Sequence, residues 1–90
     1  MDLQQLRSQI DEIDDALVSL FVKRMEIAAA IGNYKKQQGL PILMPQREQE
    51  KLMDVALKAG SDLAPYARRL YEEIFALSRE YQAQGQDEVG

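Results

Sequence analysis

Cysteine, histidine and tryptophan are absent from this chain of 90 residues, and only three prolines and five glycines punctuate it. Without Cys or His there is no disulfide framework, no thiolate or imidazole metal site, and no Cys/His or Ser/His catalytic pair. No apolar run approaches the roughly 18 residues that a membrane span requires, and the N-terminus, MDLQQLRSQIDEID, lacks an apolar signal core. These absences lead us to expect a cytoplasmic protein with no membrane contact. Basic residues are outnumbered, 11 Lys and Arg against 15 Asp and Glu, which opposes a phosphate-tracking surface and argues against a nucleic-acid partner. No Pro/Gly/Ser-rich linker divides the chain, so residues 1–90 are expected to form one domain.

What is present is an ordinary globular balance, 46% hydrophobic and 29% charged. Leu3, Leu6, Ile10, Ile13, Leu17 and Leu20 step by three and four, and the same count continues through Arg24, Ile27, Ile31 and Tyr34. This spacing predicts one long amphipathic helix with a heptad seam. Asp2 suits its N-cap with Gln5 three residues on, and Gly39 followed by Pro41 suits its end, giving a helix over about residues 2–38. Pro45 fits the first position of a second helix, which makes Met44 an N-cap of poor chemistry. That helix should bury Leu52, Val55, Ala56 and Ala59 and break at Gly60-Ser61. A third, from around Pro65, carries Ala67, Leu70, Tyr71, Ile74, Leu77 and Tyr81 at helical spacing. Residues from about 83 to 90 read as a polar tail that frays. The expected class is all-α: long helix, short helix, long helix.

A helix of that extent spans roughly 50 Å, whereas a compact globule of this length has a radius of gyration near 12 Å. The seam therefore overshoots its own globule, and an intertwined homodimer is the expected cover.

Polar residues interrupt the apolar faces. Arg24 occupies a seam position, and Lys35 lies about 16 Å further along the same side, marked by Ile27 and Ile31. Glu48 extends the Leu52, Val55, Ala59 line backward, with Arg47 beside it. Ser78 and Gln82 continue the stripe of Ile74. Each has an ordinary account: Arg24 can snorkel or pair with Glu48, Lys35 suits the helix dipole, Ser78 and Gln82 can be solvated or back-bonded, and Arg7 can pair with Asp11. Together they place several interior cations against one carboxylate. Buried charges need partners, so the residues themselves point to an anion pocket lined by Arg, Lys, Glu, Ser and Gln inside a helical dimer.

Three segments, LRSQIDEIDDALVSLFVKRMEIAAAIGNYKK, GLPILMPQRE and RLYEEIFALSREYQ, carry a resemblance over about residues 3–82. In order and spacing they resemble the all-helical chorismate mutases. The resemblance implies conversion of chorismate to prephenate by a Claisen rearrangement, at the entry to phenylalanine and tyrosine biosynthesis, without metal or cofactor. It implies that Arg24 grips a carboxylate and that Arg7 reaches into the neighbouring pocket from the other subunit. Lys35 would contact the ether oxygen and a carboxylate, and Gln82 would donate to that oxygen from the opposite side. Glu48 would accept the ring hydroxyl, Ser78 would bond a carboxylate, and Arg47 would position its neighbours or complete the cationic ring. Met44 stands where the family commonly has Asp, leaving its backbone N–H as the substrate contact. Isochorismate-pyruvate lyase is the near alternative. A non-catalytic domain that binds an aromatic-pathway metabolite, and a plain coiled-coil module, are the others. A fused or docked aromatic-pathway enzyme is a further expectation of the resemblance.

Overall fold

The computed structural model describes residues 2–89, with side chains through Gln84. Three helices follow one another: α1 (Leu3–Gln38), α2 (Pro45–Ala59) and α3 (Ala64–Val89). The described residues contain no strand, and among them no helix is long and apolar enough to cross a membrane.

The helix ends follow from local chemistry. Asp2 caps α1: its carboxylate accepts from the Gln5 N–H at 2.8 Å, while the Gln5 side chain accepts from the Asp2 N–H at 3.1 Å. Two exposed N–H groups are satisfied reciprocally. At the other end Gly39 turns left-handed, φ 68°, and the Leu40 N–H reaches back to the Lys35 carbonyl at 2.8 Å, closing a Schellman motif that a side chain at position 39 would strain. Pro45 opens α2, and Met44 precedes it with no side-chain capping bond. α3 starts at Ala64, whose N–H bonds the Gly60 carbonyl at 2.8 Å. It extends to Val89, so its last turns take in the polar stretch from about residue 83. Ala83, Gln84, Gln86 and Glu88 are fair helix formers, and no proline stops them.

α3 packs against both other helices. The buried core is small: Ala28, Leu52, Ala56 and Phe75, with Ser78 as its one polar member among the described residues. On α1 the contact face centres on Ala28 and Gly32, not on Ile27 and Ile31, both of which stay exposed. Small side chains let α3 approach closely; the isoleucines would hold it off. On α3 Phe75 is buried although the sequence stripe omitted it, and Leu70 and Tyr81 are exposed.

The long helix overshoots as its length requires. The molecule measures 54 × 28 × 14 Å with a radius of gyration of 16.3 Å, against about 12 Å for a compact chain of this size. Leu3, Leu6, Ile10, Ile13, Leu17 and Leu20 are 43–63% exposed. An apolar groove of about 400 Å³ continues that seam between α1 and α3, walled by Leu17, Phe21, Leu70, Tyr71, Ile74 and Leu77.

Candidate active site

One cleft draws side chains from all three helices and the loop before α2. It has a volume of about 140 Å³ and is lined by Arg24, Ala28, Ile31, Lys35, Ile42, Met44, Glu48, Phe75, Ser78, Arg79 and Gln82. Six of the eight residues singled out from sequence therefore meet here: Arg24, Lys35, Met44, Glu48, Ser78 and Gln82. Arg47 is exposed at the start of α2 and does not line the cleft, and Arg7 is exposed on the overshooting half of α1.

Arg24 faces α3. Its guanidinium carbon lies 5.7 Å from the ring centroids of both Tyr71 and Phe75, whose edge-to-face pairing gives the cation two aromatic neighbours. Its Nη1 donates to Ser78 Oγ at 3.3 Å. The Ser78 hydroxyl in turn donates to the Ile74 carbonyl at 2.8 Å, so the back-bonded state and the link to Arg24 coexist. Ser78 is 7% exposed, and both bonds compensate that burial. Arg24 thus points into the cleft on a fixed lever, with donors left for an anion.

Lys35 closes the other end. Its Nζ donates to the Ile42 carbonyl at 3.2 Å, tying the last turn of α1 to the loop that the Gly39 turn folds back. An ammonium carries three donors, so two remain. Gln82 crosses from α3 to α1 and donates from Nε2 to the Ala28 carbonyl at 2.7 Å. It lies against Gly32, where a Cβ would stand only 2.9 Å from Gln82 Cγ. The absent side chain makes room for the amide.

Glu48 does not pair with Arg24. It accepts from Arg79 Nη1 at 2.6 Å, and this arginine is the residue that sequence reasoning missed. Arg79 looks like a surface charge beside Ser78, yet it follows Phe75 by four and precedes Gln82 by three, a spacing that puts all three on one face. With it the cleft holds three cations, Arg24, Lys35 and Arg79, against the single carboxylate of Glu48. Among the described residues no group of three or more His, Cys, Asp or Glu is placed to hold a metal ion. The arrangement can grip a small polyanion at separate points and direct neutral and charged N–H donors at its middle.

Comparison with known proteins gives the lineage. Residues 6–83 match the family described as chorismate mutase type II. The T-protein of Haemophilus influenzae is 46% identical over 85 residues, covering 88% of this chain and 22% of that protein. The bifunctional chorismate mutase/prephenate dehydratase of Aquifex aeolicus is 41% identical over 49 residues, 54% of this chain and 14% of its own length. The 4-amino-4-deoxychorismate mutase of Streptomyces venezuelae is 33% identical over 46 residues, 51% of this chain and 45% of its own. The chain thus spans less than half the length of each of these relatives. No solved structure matches it significantly. With its all-helical architecture and a family match that takes in nearly its whole length, the chain belongs to the chorismate mutase type II family.

Proposed function

We propose that this chain converts chorismate to prephenate. The observation that carries the reading is the convergence of Arg24, Lys35, Glu48, Ser78 and Gln82, from three helices, on one cleft with an excess of positive charge. Chorismate is a dianion whose rearrangement breaks one bond and forms another together. It needs no nucleophile and no base. What a protein can supply is restraint of the folded conformer and donors aimed at the ether oxygen, where charge develops. Arg24 grips one carboxylate with help from Ser78. Lys35 Nζ and Gln82 Nε2 approach the ether oxygen from α1 and α3, and Glu48 accepts the ring hydroxyl.

The second grip is proposed to come from a second copy. Arg7 has no place in its own cleft, and the exposed seam and the α1–α3 groove are apolar faces that a two-fold related α1 would cover. In such a homodimer Arg7 of one subunit binds a carboxylate in the other's pocket, and Arg47 adds to the cationic rim. Sedimentation of a stable monomer at micromolar concentration would refute this assembly. The reading places the protein in the cytoplasm, and the length of its relatives is consistent with work beside, or fused to, another enzyme of the same pathway.

The test follows chorismate absorbance with purified protein and identifies the product by chromatography, beside the Lys35→Ala variant. Prephenate from wild type, and a loss of at least about 2.7 to 4 kcal/mol of transition-state stabilisation in the variant, are expected. Equal turnover in both removes Lys35 from its role. Pyruvate released from isochorismate would move the reading to the lyase, and binding of chorismate without turnover to a regulatory domain.

A further inference from the structure

Arg79 has no role in the reading above, although its guanidinium makes the shortest polar contact in the cleft, 2.6 Å to Glu48 Oε2. Stability is a weak reason for it. The side chains are 37% and 27% exposed, and a solvent-screened pair of this kind contributes little to folding. Its position offers a better one. Arg79 and Glu48 both line the cleft, one from α3 and one from the first turn of α2, so the pair presents a neutralised carboxylate to whatever enters.

We infer that Arg79 is a specificity-determining residue, which, by occupying one oxygen of Glu48 and cancelling its charge, makes the cleft favour a neutral hydroxyl over an ammonium on the substrate ring. The inference rests on the reading of Glu48 as the hydroxyl acceptor. A hydroxyl needs only one acceptor oxygen, and the oxygen not held by Arg79 supplies it. An ammonium at the same ring carbon needs a net negative partner. It would instead meet the Arg79–Glu48 pair, whose charges cancel, with the like charge of Arg79 beside it, a juxtaposition that rejects the wrong ligand. Without the Arg79 charge, Glu48 becomes a free counter-ion and the preference weakens or reverses. Two substrates of similar shape, chorismate and its 4-amino-4-deoxy analogue, differ in this group alone, the analogue carrying an aliphatic amine that is protonated at neutral pH.

The experiment measures kcat/KM for both compounds with wild type, Arg79→Gln and Arg79→Lys. The ratio of hydroxyl to amino substrate should fall at least about tenfold in Arg79→Gln, as expected for removing one charge next to a half-buried ionic contact. It should return to within about threefold of wild type in Arg79→Lys, which keeps the charge. The wild-type ratio should also shrink with added salt. A merely structural bridge would lower both substrates alike and leave the ratio unmoved, which overturns the inference. Dissociation constants for the same two compounds, from calorimetry, give the ratio independently of turnover. Wild type that binds both but makes no prephenate would sink the mutase reading, and a tenfold drop in the binding ratio would still uphold the role of Arg79; an unmoved binding ratio would end it.

Discussion

A methyl group at position 32 would stand 2.9 Å from Gln82 Cγ, 3.2 Å from its Cβ and 3.3 Å from its Cδ, and Gly32→Ala therefore separates the stability of the fold from the arrangement of the cleft. Rotation about χ1 of Gln82 can relieve the contacts at Cγ and Cδ but not the one at Cβ, which moves only with the α3 backbone. Either response pulls Nε2 away from the Ala28 carbonyl, now 2.7 Å distant. Stability feels two opposing effects. Replacing Gly in a helix interior gains about 0.8–1 kcal/mol, and overpacking costs typically about 1–3 kcal/mol, so the net loss lies between about 0 and 2 kcal/mol. Activity feels only the displacement. Loss of one preorganised donor to a developing negative charge lowers kcat about 10²–10³-fold. Thermal melts and a chorismate assay on the same sample would read both quantities. Gly32→Ala should melt within roughly 15 °C of wild type and be nearly as inactive as Gln82→Ala. In the double variant with Gln82→Ala the contacts at Cγ and Cδ disappear and only the one at Cβ remains, so its loss of stability should be smaller than the sum of the two single losses. Wild-type turnover in Gly32→Ala, or strictly additive losses in the double variant, would refute the close approach as the reason for glycine.

Three further outcomes are expected. Met44→Asp supplies the side-chain cap that α2 lacks and should add about 0.5–2 kcal/mol with little change in turnover; a lower melting temperature would refute the capping argument. Because the Gln82 amide donates without being protonated, the wild-type rate should hold a plateau around neutral pH, whereas Gln82→Glu should be active only as pH falls towards the carboxylic range near about 4.3; a wild-type rate that climbs steadily below pH about 5 contradicts this assignment. Away from the cleft, the hydrogen bond from Lys58, against some opposition from desolvation and with help from the Lys58 and Lys51 charges, holds the Asp54 carboxyl below its ordinary value of 3.8. A depressed carboxylate stabilises the fold above its unfolded value and loses that contribution as pH falls through the folded one, so NMR should place the Asp54 midpoint below 3.8 and Lys58→Ala should raise it. An unmoved midpoint in the variant would discount the bond.

The long helix was readable because its signals are local. The Asp2 cap, the three-and-four spacing from Leu3 to Leu20 and the Gly39 stop all act within a turn or two of themselves. Arg24, Lys35, Glu48, Ser78 and Gln82 were readable because each breaks an apolar pattern, and a charge where the pattern calls for a hydrocarbon asks for a partner. Arg79 breaks no pattern. Its significance comes from Glu48, 31 residues earlier, and only the fold joins them. The same holds for Gly32, which periodicity merely tolerates and which matters because Gln82 arrives from another helix. The stripe on α3 misled for a related reason: Leu70, Ile74 and Leu77 wall the open groove, whereas the buried contact is made by Phe75, which the stripe omitted, and by Ser78.

The uncovered half of α1 links the amount of working protein to its abundance. Most helical stability in a protein comes from packing of an amphipathic face rather than from intrinsic propensity, and the apolar seam from Leu3 to Leu20 stays largely exposed within its own chain. In the proposed dimer that order comes from association, so mass action governs it: each tenfold dilution weakens the assembly by about 1.4 kcal/mol. Near the dissociation constant a cell that halved its synthesis of this chain would lose more than half of its catalytic rate, and the length of one helix would serve as a gauge of expression.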